Sequence, residues 1–375
     1  MKIFNIPIRL DFSWLFILIL VIWSLSSFVF PSYCRDYPVS QSTFWIMGVL
    51  GGLGIFGSIL FHELSHALVA KKHGLSINRI TLFIFGGVAE IADEPPSSKS
   101  EFRMAAAGPI FSYLVAAFFF FVEYISKKYD FPISERAVAN YLAWGNFVLA
   151  SFNLVPAFPL DGGRILRAYL WSKKKSLVEA TRSASKIGSG FGVALMAMGV
   201  ITFLFQNFIG GMWYFLLGMF LREAAQASYK QVVLKKSFEG EPVSRFMETN
   251  PVAIPSDLSL RDTMDNFFVK YQYRLFPVIR AGQLVGCFRA RELKKVPKSN
   301  WDVRRVEEYM EPISEKNSVS SKMDAKQALT QMSQQGEDRL LVVEDGTLVG
   351  VLVLKDMLNY FALVFEFQEP ERAAA

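Results

Sequence analysis

Two histidines and a glutamate in this sequence have a spacing typical of metal chemistry. They are His62, Glu63 and His66, in the segment FHELSHA (61–67). On a helix, residues four apart project from the same face, where two imidazole nitrogens can share one Zn²⁺. Glu63 is next to the first histidine, where a carboxylate can take a proton from a metal-bound water. Two of the three histidines of the chain fall in this motif, so we predict a zinc site with Glu63 as its catalytic base.

A catalytic zinc usually has three protein ligands and one open position, so a further ligand is expected. Asp161 is the strongest candidate. It follows the proline-broken end of a predicted helix, and it precedes Gly162 and Gly163, which allow a close backbone approach. In the alternative interpretation, Asp161 caps the helix expected near Arg164. Weaker candidates lie in basic or solvated segments or at the far end of a span: His73, Glu90, Asp93, Glu94 and Glu123.

The amide of Asn153 lies just before the same break in the chain. It could bind the backbone of a substrate or a developing oxyanion. It could equally satisfy backbone carbonyls that the prolines leave without a partner. The residues alone leave both interpretations open.

The composition favours a membrane domain followed by a soluble one. Of the 375 residues, 52% are hydrophobic and 15% aromatic, which is too apolar for an ordinary soluble protein, whereas 20% charged residues are too many for a chain wholly in lipid. The net charge of +6 is modest. Its basic residues cluster beside hydrophobic segments, which indicates a lipid bilayer as partner and no nucleic acid. Cys34 and Cys287 are far apart and imply no disulfide framework.

About six apolar segments are long enough to cross a bilayer, which takes about 20 residues. Residues 79–91 read as two short strands or a re-entrant hairpin. The predicted fold is a multi-pass α-helical membrane protein with about six transmembrane helices and a short β-hairpin, followed by a soluble α+β part. The six segments are approximately 12–30, 44–71, 104–125, 138–154, 187–205 and 210–227.

Lysines and arginines in the connecting segments set the expected orientation. They are abundant between the fourth and fifth segments and after the sixth. We therefore expect a cell-membrane protein with both termini in the cytoplasm, and a metal site within the membrane but nearer the cytosol. Lys127, Lys128 and Arg136 would then lie outside, as an exception to the rule.

Four motifs together resemble the site-2 protease family of intramembrane zinc metalloproteases: FHELSHA (61–67), FGG (85–87), AAAGP (105–109) and NLVPAFPLDGGRIL (153–166). The resemblance covers about residues 1–230. It implies cleavage of a peptide bond in or near the transmembrane segment of a single-span membrane protein or a signal peptide. The zinc ligands and general base that it implies are His62, His66, Asp161 and Glu63.

The same resemblance implies that Asn153 positions the substrate. It also implies that the hairpin around Gly86 and Gly87 holds the substrate as an extended strand, which fits the fact that a helix hides its peptide bonds from water. Ser112 stands where the family often has an asparagine.

An internal repeat of 63–64 residues occupies the last third of the chain. RFME (245–248) matches EYME (308–311), and FPVI (276–279) matches LLVV (340–343). Each strand pair is expected to follow a helix, at 260–271 in the first unit and 325–335 in the second. The two units resemble a pair of cystathionine-β-synthase (CBS) domains, over about residues 242–364.

This second resemblance implies an adenine nucleotide (ATP, ADP or AMP) as ligand, or a structural pair that forms a homodimer. The family's nucleotide signature is Gly, then Ser or Thr, then Asp. The aspartate of the signature, which binds the ribose, is kept only in the second repeat, as Asp356. The first repeat has Glu292 at that position. The nucleotide and structural interpretations both stay open.

The predicted organisation is a membrane protease with a cytosolic CBS pair that regulates it or mediates dimerisation. The alternative hypothesis is a zinc-binding transporter or sensor controlled by the CBS pair. Spans one, five and six are nearly free of charge, which disfavours a transport path. The predicted domains are 1–230 (protease), 231–241 (linker), 242–300 and 301–364 (CBS repeats) and 365–375 (C-terminal tail).

Overall fold

The computed structural model describes residues 2–83, 86–91, 94–205 and 207–373. Its contacts divide the chain into two compact units, Met1–Val232 and Val233–Ala375. The first unit contains mainly long helices and a small sheet, and the second contains the two repeats.

Most of the first unit is helical. The first helix continues through a π-helical turn, Leu25–Val29, into a short second one. The helices are α1 (Phe12–Ser24), α2 (Phe30–Tyr33), α3 (Gln41–Lys72), α4 (Ser98–Lys128), α5 (Ile133–Asn153), α6 (Asp161–Lys174), α7 (Leu177–Leu204) and α8 (Phe208–Ser237).

Four helical segments in the described part of the chain are long and apolar enough to cross a membrane: Phe12–Tyr33, Gln41–Lys72, Ser98–Lys128 and Leu177–Leu204. The other two predicted spans coincide with α5 and α8, which are helical but are not among these four. The membrane character of the first unit is therefore clear, and the number of six spans stays a prediction.

Local sequence signals fix both ends of the long helix α3. At its start, the Ser40 side chain accepts a hydrogen bond from the backbone N–H of Thr43 at 3.2 Å, which satisfies one of the free donors of the first turn. At its end, Lys71 and Lys72 lie in the last turn, where basic residues favour the negative end of the helix dipole. Gly74 follows with a φ of +81°, a conformation that favours glycine and stops the helix.

A four-stranded sheet packs beside α3, in the order β1-β2-β3-β4. The predicted hairpin forms its last two strands, which are antiparallel, and β2 pairs with β3 in parallel. The two N-terminal strands were not predicted, although Ile6, Ile8 and Leu10 alternate as a half-buried strand requires. The strands are β1 (Lys2–Ile3), β2 (Ile6–Leu10), β3 (Ile77–Phe83) and β4 (Gly86–Ile91).

The sheet is fixed to the same helix that carries the histidines. Leu64 and Ala67 of α3 form a buried cluster with Ile6, Ile80 and Leu82 of the sheet. On a helix these two residues point away from positions 62 and 66. One face of α3 is therefore used for packing against the sheet, and the opposite face is left for the histidines.

The second unit consists of two repeats with matching hairpins. Both hairpins have a two-residue turn with positive φ, at Ala281–Gly282 and Asp345–Gly346, as a tight turn between right-twisted strands requires. The sheets have the orders β6-β7-β8 and β5-β11-β10-β9. The strands are β5 (Met247–Glu248), β6 (Ile254–Pro255), β7 (Leu275–Arg280), β8 (Gln283–Arg289), β9 (Ser318–Val319), β10 (Arg339–Glu344) and β11 (Thr347–Val353).

Helices precede both hairpins, as predicted. In the first repeat the helix contains a π-helical turn, Met264–Phe268, between two short α-helical pieces. Single-turn 3₁₀ helices connect the remaining elements. The α-helices are α9 (Leu260–Thr263), α10 (Val269–Tyr271), α11 (Ala325–Gln335) and α12 (Leu354–Ala373). Most of the segment predicted as a C-terminal tail, 365–375, is therefore part of α12.

Phe276 offers a test of the first repeat's core. Its buried ring contacts four aromatic rings, those of Phe267, Phe268, Tyr271 and Tyr273. We expect Phe276→Ala to lower the free energy of unfolding of this repeat by about 3–5 kcal/mol, because the lost contacts leave a cavity. Hydrogen exchange of the β7 and β8 amides measures this.

Val303→Ala is the matched control, since Val303 is 79% exposed. It should change the free energy of unfolding by no more than about 0.5 kcal/mol. Equal effects of the two substitutions would contradict the assigned core.

Candidate metal centre

Three buried side chains converge from α3 and α6. Nε2 of His62 and Nε2 of His66 each lie 3.1 Å from Oδ2 of Asp161. One potential ligand atom from each residue lies within 4.8 Å of the others. The structure thus brings together the two histidines of the motif and the aspartate that is 95 residues further along the chain.

Asp161 is the first residue of α6, and Leu160 precedes it at the N-cap position. Its carboxylate faces the histidines, so the alternative that Asp161 caps the helix is wrong. The two glycines that follow allow α6 to lie against the preceding loop. A Cβ on Gly162 would be 2.2 Å from the carbonyl oxygen of Leu154, and one on Gly163 would be 2.2 Å from the backbone nitrogen of Phe158.

Helix α4 supplies the partners of both imidazole rings. Nδ1 of His66 lies 2.7 Å from the backbone oxygen of Met104, and Nδ1 of His62 lies 2.9 Å from Oγ of Ser112. A carbonyl only accepts, so Nδ1 of His66 carries a hydrogen, and Nε2 of the neutral imidazole then holds a lone pair. Hydrogen bonds of this kind orient metal-binding histidines.

The donor set fits a zinc ion. With a neutral imidazole, Nε2 of His66 and the carboxylate of Asp161 are both acceptors, and two acceptors 3.1 Å apart repel unless a proton or a metal cation lies between them. Two imidazoles and a carboxylate are ligands that zinc prefers, and bonds of about 2.0–2.1 Å in a tetrahedron put ligand atoms roughly 3.3 Å apart. The observed spacing agrees with that figure.

Gly108 of α4 closes one side of this group. A Cβ at this position would lie 2.3 Å from Nε2 of His66 and 2.5 Å from Nε2 of His62. Real Cβ atoms do not approach other atoms so closely, and the turn that bears the glycine is buried. The absence of a side chain at Gly108 therefore leaves the space in which a shared ion can lie.

Glu63, the predicted base, lies against the predicted hairpin. Its Cγ would be 2.5 Å from a Cβ on Gly87 of β4, and the backbone of Ala89 in the same strand hydrogen-bonds its carboxylate. Gly86 has a φ of +129°, which other residues rarely adopt. The structure thus places Gly87 next to the glutamate of the motif, whereas an added carbon at Gly86 would meet no atom of the described residues within 4 Å.

The remaining site candidates lie apart from this group. Asn153 is the last residue of α5 and its Nδ2 donates to the backbone oxygen of Leu149 at 3.0 Å. His73 ends α3, and Asp93 lies outside the described residues. Among the described carboxylates, three of the weaker candidates have basic partners instead, in the pairs Glu90–Arg79, Glu94–Arg167 and Glu123–Lys127.

In the second unit, Asp356 is exposed in the first turn of α12. A cleft of about 500 Å³ lies elsewhere, at the ends of β7, β8 and α11. Arg289, which stands at the Ser/Thr position of the nucleotide signature, pairs with Glu311 and Glu337. The basic residues that line the cleft are Arg274, Arg289, Arg291 and Lys294.

Gly108→Ala tests the geometry of the metal centre. The added methyl group collides with both Nε2 atoms, so we expect the affinity for zinc to fall about 10–100-fold, as for other changes that misplace metal ligands. Competition with a fluorescent zinc chelator measures this affinity. Gly57→Ala on α3 is the control, since no atom lies within 4 Å of the added carbon. Unchanged zinc affinity in Gly108→Ala would contradict the assigned centre.

Comparisons with known proteins identify the family of both units. The family model described as peptidase family M50 matches residues 51–134 and 126–199, and the model of the CBS domain matches 243–299 and 306–363. Rip3 of Mycobacterium tuberculosis is 30% identical over 372 residues, which cover 99% of this chain and 94% of Rip3. The zinc metalloprotease MJ0392 of Methanocaldococcus jannaschii is 32% identical over 365 residues, which cover 97% of this chain and 95% of MJ0392.

Among solved structures, the site-2 protease from Methanocaldococcus jannaschii is 31% identical over 60% of this chain and 92% of that chain, with a TM-score of 0.44. The matches to full-length relatives include both the membrane unit and the repeats. The chain therefore belongs to peptidase family M50, the family of the site-2 zinc metalloproteases, and it carries a tandem pair of CBS domains.

Proposed function

We propose that the chain is an intramembrane zinc endopeptidase. It hydrolyses a peptide bond in or next to the transmembrane segment of single-span membrane proteins or signal peptides. The observation that carries this proposal is the group of His62, His66 and Asp161, whose two histidines lie with Glu63 on a helix apolar enough to cross a membrane. Relatives named as metalloproteases favour hydrolysis over the transport or sensing alternative.

The residues of the group and those around it have different roles in catalysis. His62, His66 and Asp161 would hold the zinc ion, which would act as a Lewis acid toward the scissile carbonyl and make a bound water more acidic. Glu63 accepts the proton of the attacking water and later donates it to the leaving amine. Ser112 and the carbonyl of Met104 keep the Nε2 atoms of the two imidazoles directed at Asp161.

The hairpin supports a mode of substrate binding. β4 is the last strand in the order β1-β2-β3-β4, and a strand at the end of a sheet can pair with an extended peptide. Gly86 and Gly87 lack side chains that would keep such a peptide away from Glu63. The substrate would be unwound from a helix to pair there, which exposes its peptide bonds to water. Asn153, at the end of α5, would contact the same peptide.

The membrane orientation is part of the proposal. Lysines and arginines on α6 and in the first turns of α7 favour the cytoplasm for these segments. Both termini and the CBS pair are then cytoplasmic, in a multi-pass protein of the cell membrane. The zinc centre, formed by the later part of α3 and the start of α6, lies toward the cytoplasmic side.

The CBS pair would regulate proteolysis or mediate homodimerisation. Four basic residues and two acidic ones, Glu337 and Asp338, line the cleft at the ends of β7, β8 and α11. The excess of basic groups supports the binding of an anion such as the phosphates of ATP, ADP or AMP. Asp356 would contact a ribose in the second repeat. The ion pairs of Arg289 with Glu311 and Glu337 would have to coexist with such a ligand or open to admit it.

Glu63→Gln separates zinc binding from catalysis. The amide keeps the size of the side chain but cannot accept the proton, so we expect kcat for a reconstituted single-span substrate to fall at least about 10²–10⁴-fold. Zinc affinity should stay within a factor of three, since Glu63 is not a ligand. Undiminished cleavage by this variant would rule out Glu63 as the base.

Gly87→Ala tests the role of the hairpin. A methyl group there displaces the Glu63 side chain, and we expect kcat to fall about tenfold or more because the base is misplaced. Zinc affinity should not change. Gly190→Ala on α7 is the control, as its added carbon meets no atom within 4 Å. Equal kcat values for Gly87→Ala and Gly190→Ala would show that β4 does not position Glu63.

A further inference from the structure

A buried ion pair joins α4 to α6. Nε of Arg167 donates to Oε1 of Glu101 at 2.5 Å, and Nη2 of Arg167 contacts the same oxygen. Glu101 is 0% exposed and Arg167 is 5% exposed. Removing two charges from water is costly, so a buried ion pair is weak evidence for a role in stability alone.

The guanidinium of Arg167 contacts three separate segments. Besides Glu101 on α4, its Nη2 lies 3.8 Å from Oε2 of Glu94, in the segment after the hairpin. Its Cζ lies 5.0 Å from the centre of the Phe158 ring, in the loop that leads to Asp161. One side chain therefore links α4, the segment after β4 and the loop before the third zinc ligand.

The position of Glu101 on α4 connects this pair to the metal centre. Residues 101, 104, 108 and 112 follow helical spacing along one face. The last three provide the carbonyl partner of His66, the glycine beside both Nε2 atoms and the hydroxyl partner of His62. Arg167 fixes α6, which begins with Asp161, against this same face.

We propose that Arg167 is a positioning residue that, together with Glu101, holds the Asp161 carboxylate at the two histidines. Arg167 touches neither the ligand atoms nor the substrate in this account, and it acts through the placement of α6. The inference rests on the proposed zinc site. The competing explanation is that the pair only stabilises the packing of the two helices.

Removing both charges distinguishes positioning from packing. Replacing a buried ion pair by uncharged groups of similar size is often neutral for stability, whereas removing one partner leaves a buried charge. We therefore choose the double variant Glu101→Gln/Arg167→Met in the full-length, detergent-solubilised protein. Its metal-free unfolding temperature, compared with that of wild type, shows whether packing is retained.

Zinc affinity is measured by chelator competition in four proteins: wild type, Glu101→Gln/Arg167→Met, Asp161→Asn and the combination of all three substitutions. We expect the variant without the ion pair to bind zinc about 10–100-fold more weakly than wild type. In the Asp161→Asn background, loss of the pair should change zinc affinity less than about threefold, because residues that act through one another are not additive.

The second ion pair of α4, Glu123 with Lys127, provides the matched control. Glu123→Gln/Lys127→Met should leave zinc affinity within about twofold of wild type, since that pair lies at the opposite end of α4 from Glu101 and Met104.

Three results would overturn the inference. Wild-type zinc affinity without the Arg167 pair would show that the pair does not position the ligand. If removal of the pair weakens zinc binding by the same factor in Asp161→Asn as in wild type, the pair acts on zinc binding by a route other than Asp161. Wild-type zinc affinity in Asp161→Asn would overturn the proposed ligand set itself, and with it the inference.

Discussion

The membrane unit is organised around an electrostatic constraint. Nε2 of each motif histidine lies 3.1 Å from one carboxylate oxygen of Asp161, and all three side chains are buried. When both imidazoles are neutral and carry their hydrogen on Nδ1, these acceptor atoms repel one another, and burial removes the water that would screen them. A shared cation turns this unfavourable arrangement into a stable one, and zinc suits the ligand types.

The sheet and α4 pack against two sides of α3 and together orient its histidines. The sheet packs against Leu64 and Ala67, which fixes the rotation of the helix. On the other side, α4 offers a hydrogen-bond partner for each imidazole and no side chain at Gly108. Because the sheet also carries Gly87, the same packing that directs the histidines at Asp161 holds Glu63 beside β4.

Much of this could be predicted from sequence, for a physical reason. The motif histidines are separated by one helical turn, so local helix geometry alone puts them on one face. Asp161 is distant in sequence, but a carboxylate after a broken apolar helix has few other roles. The CBS hairpins were predictable because each repeat contains the same turn and strand pattern.

Other features depended on long-range packing and left little local signal. The strand at Ile6–Leu10 pairs with residues about seventy positions later, and only its alternation could have indicated it. The pair between Glu101 and Arg167 joins two helices through charged residues that resemble ordinary helix ends in the sequence. Helix α4 was predicted as a span, but its row of Met104, Gly108 and Ser112 acquires meaning only beside the histidines.

X-ray absorption at the zinc edge of the purified full-length protein identifies the ligands of the metal. We expect two imidazoles and further oxygen ligands, all at about 2.0–2.1 Å. Asp161→Asn should alter the oxygen shell while both imidazole signals remain. A sulfur shell near 2.3 Å, or a third imidazole, would contradict the assignment of His62, His66 and Asp161 as the zinc ligands.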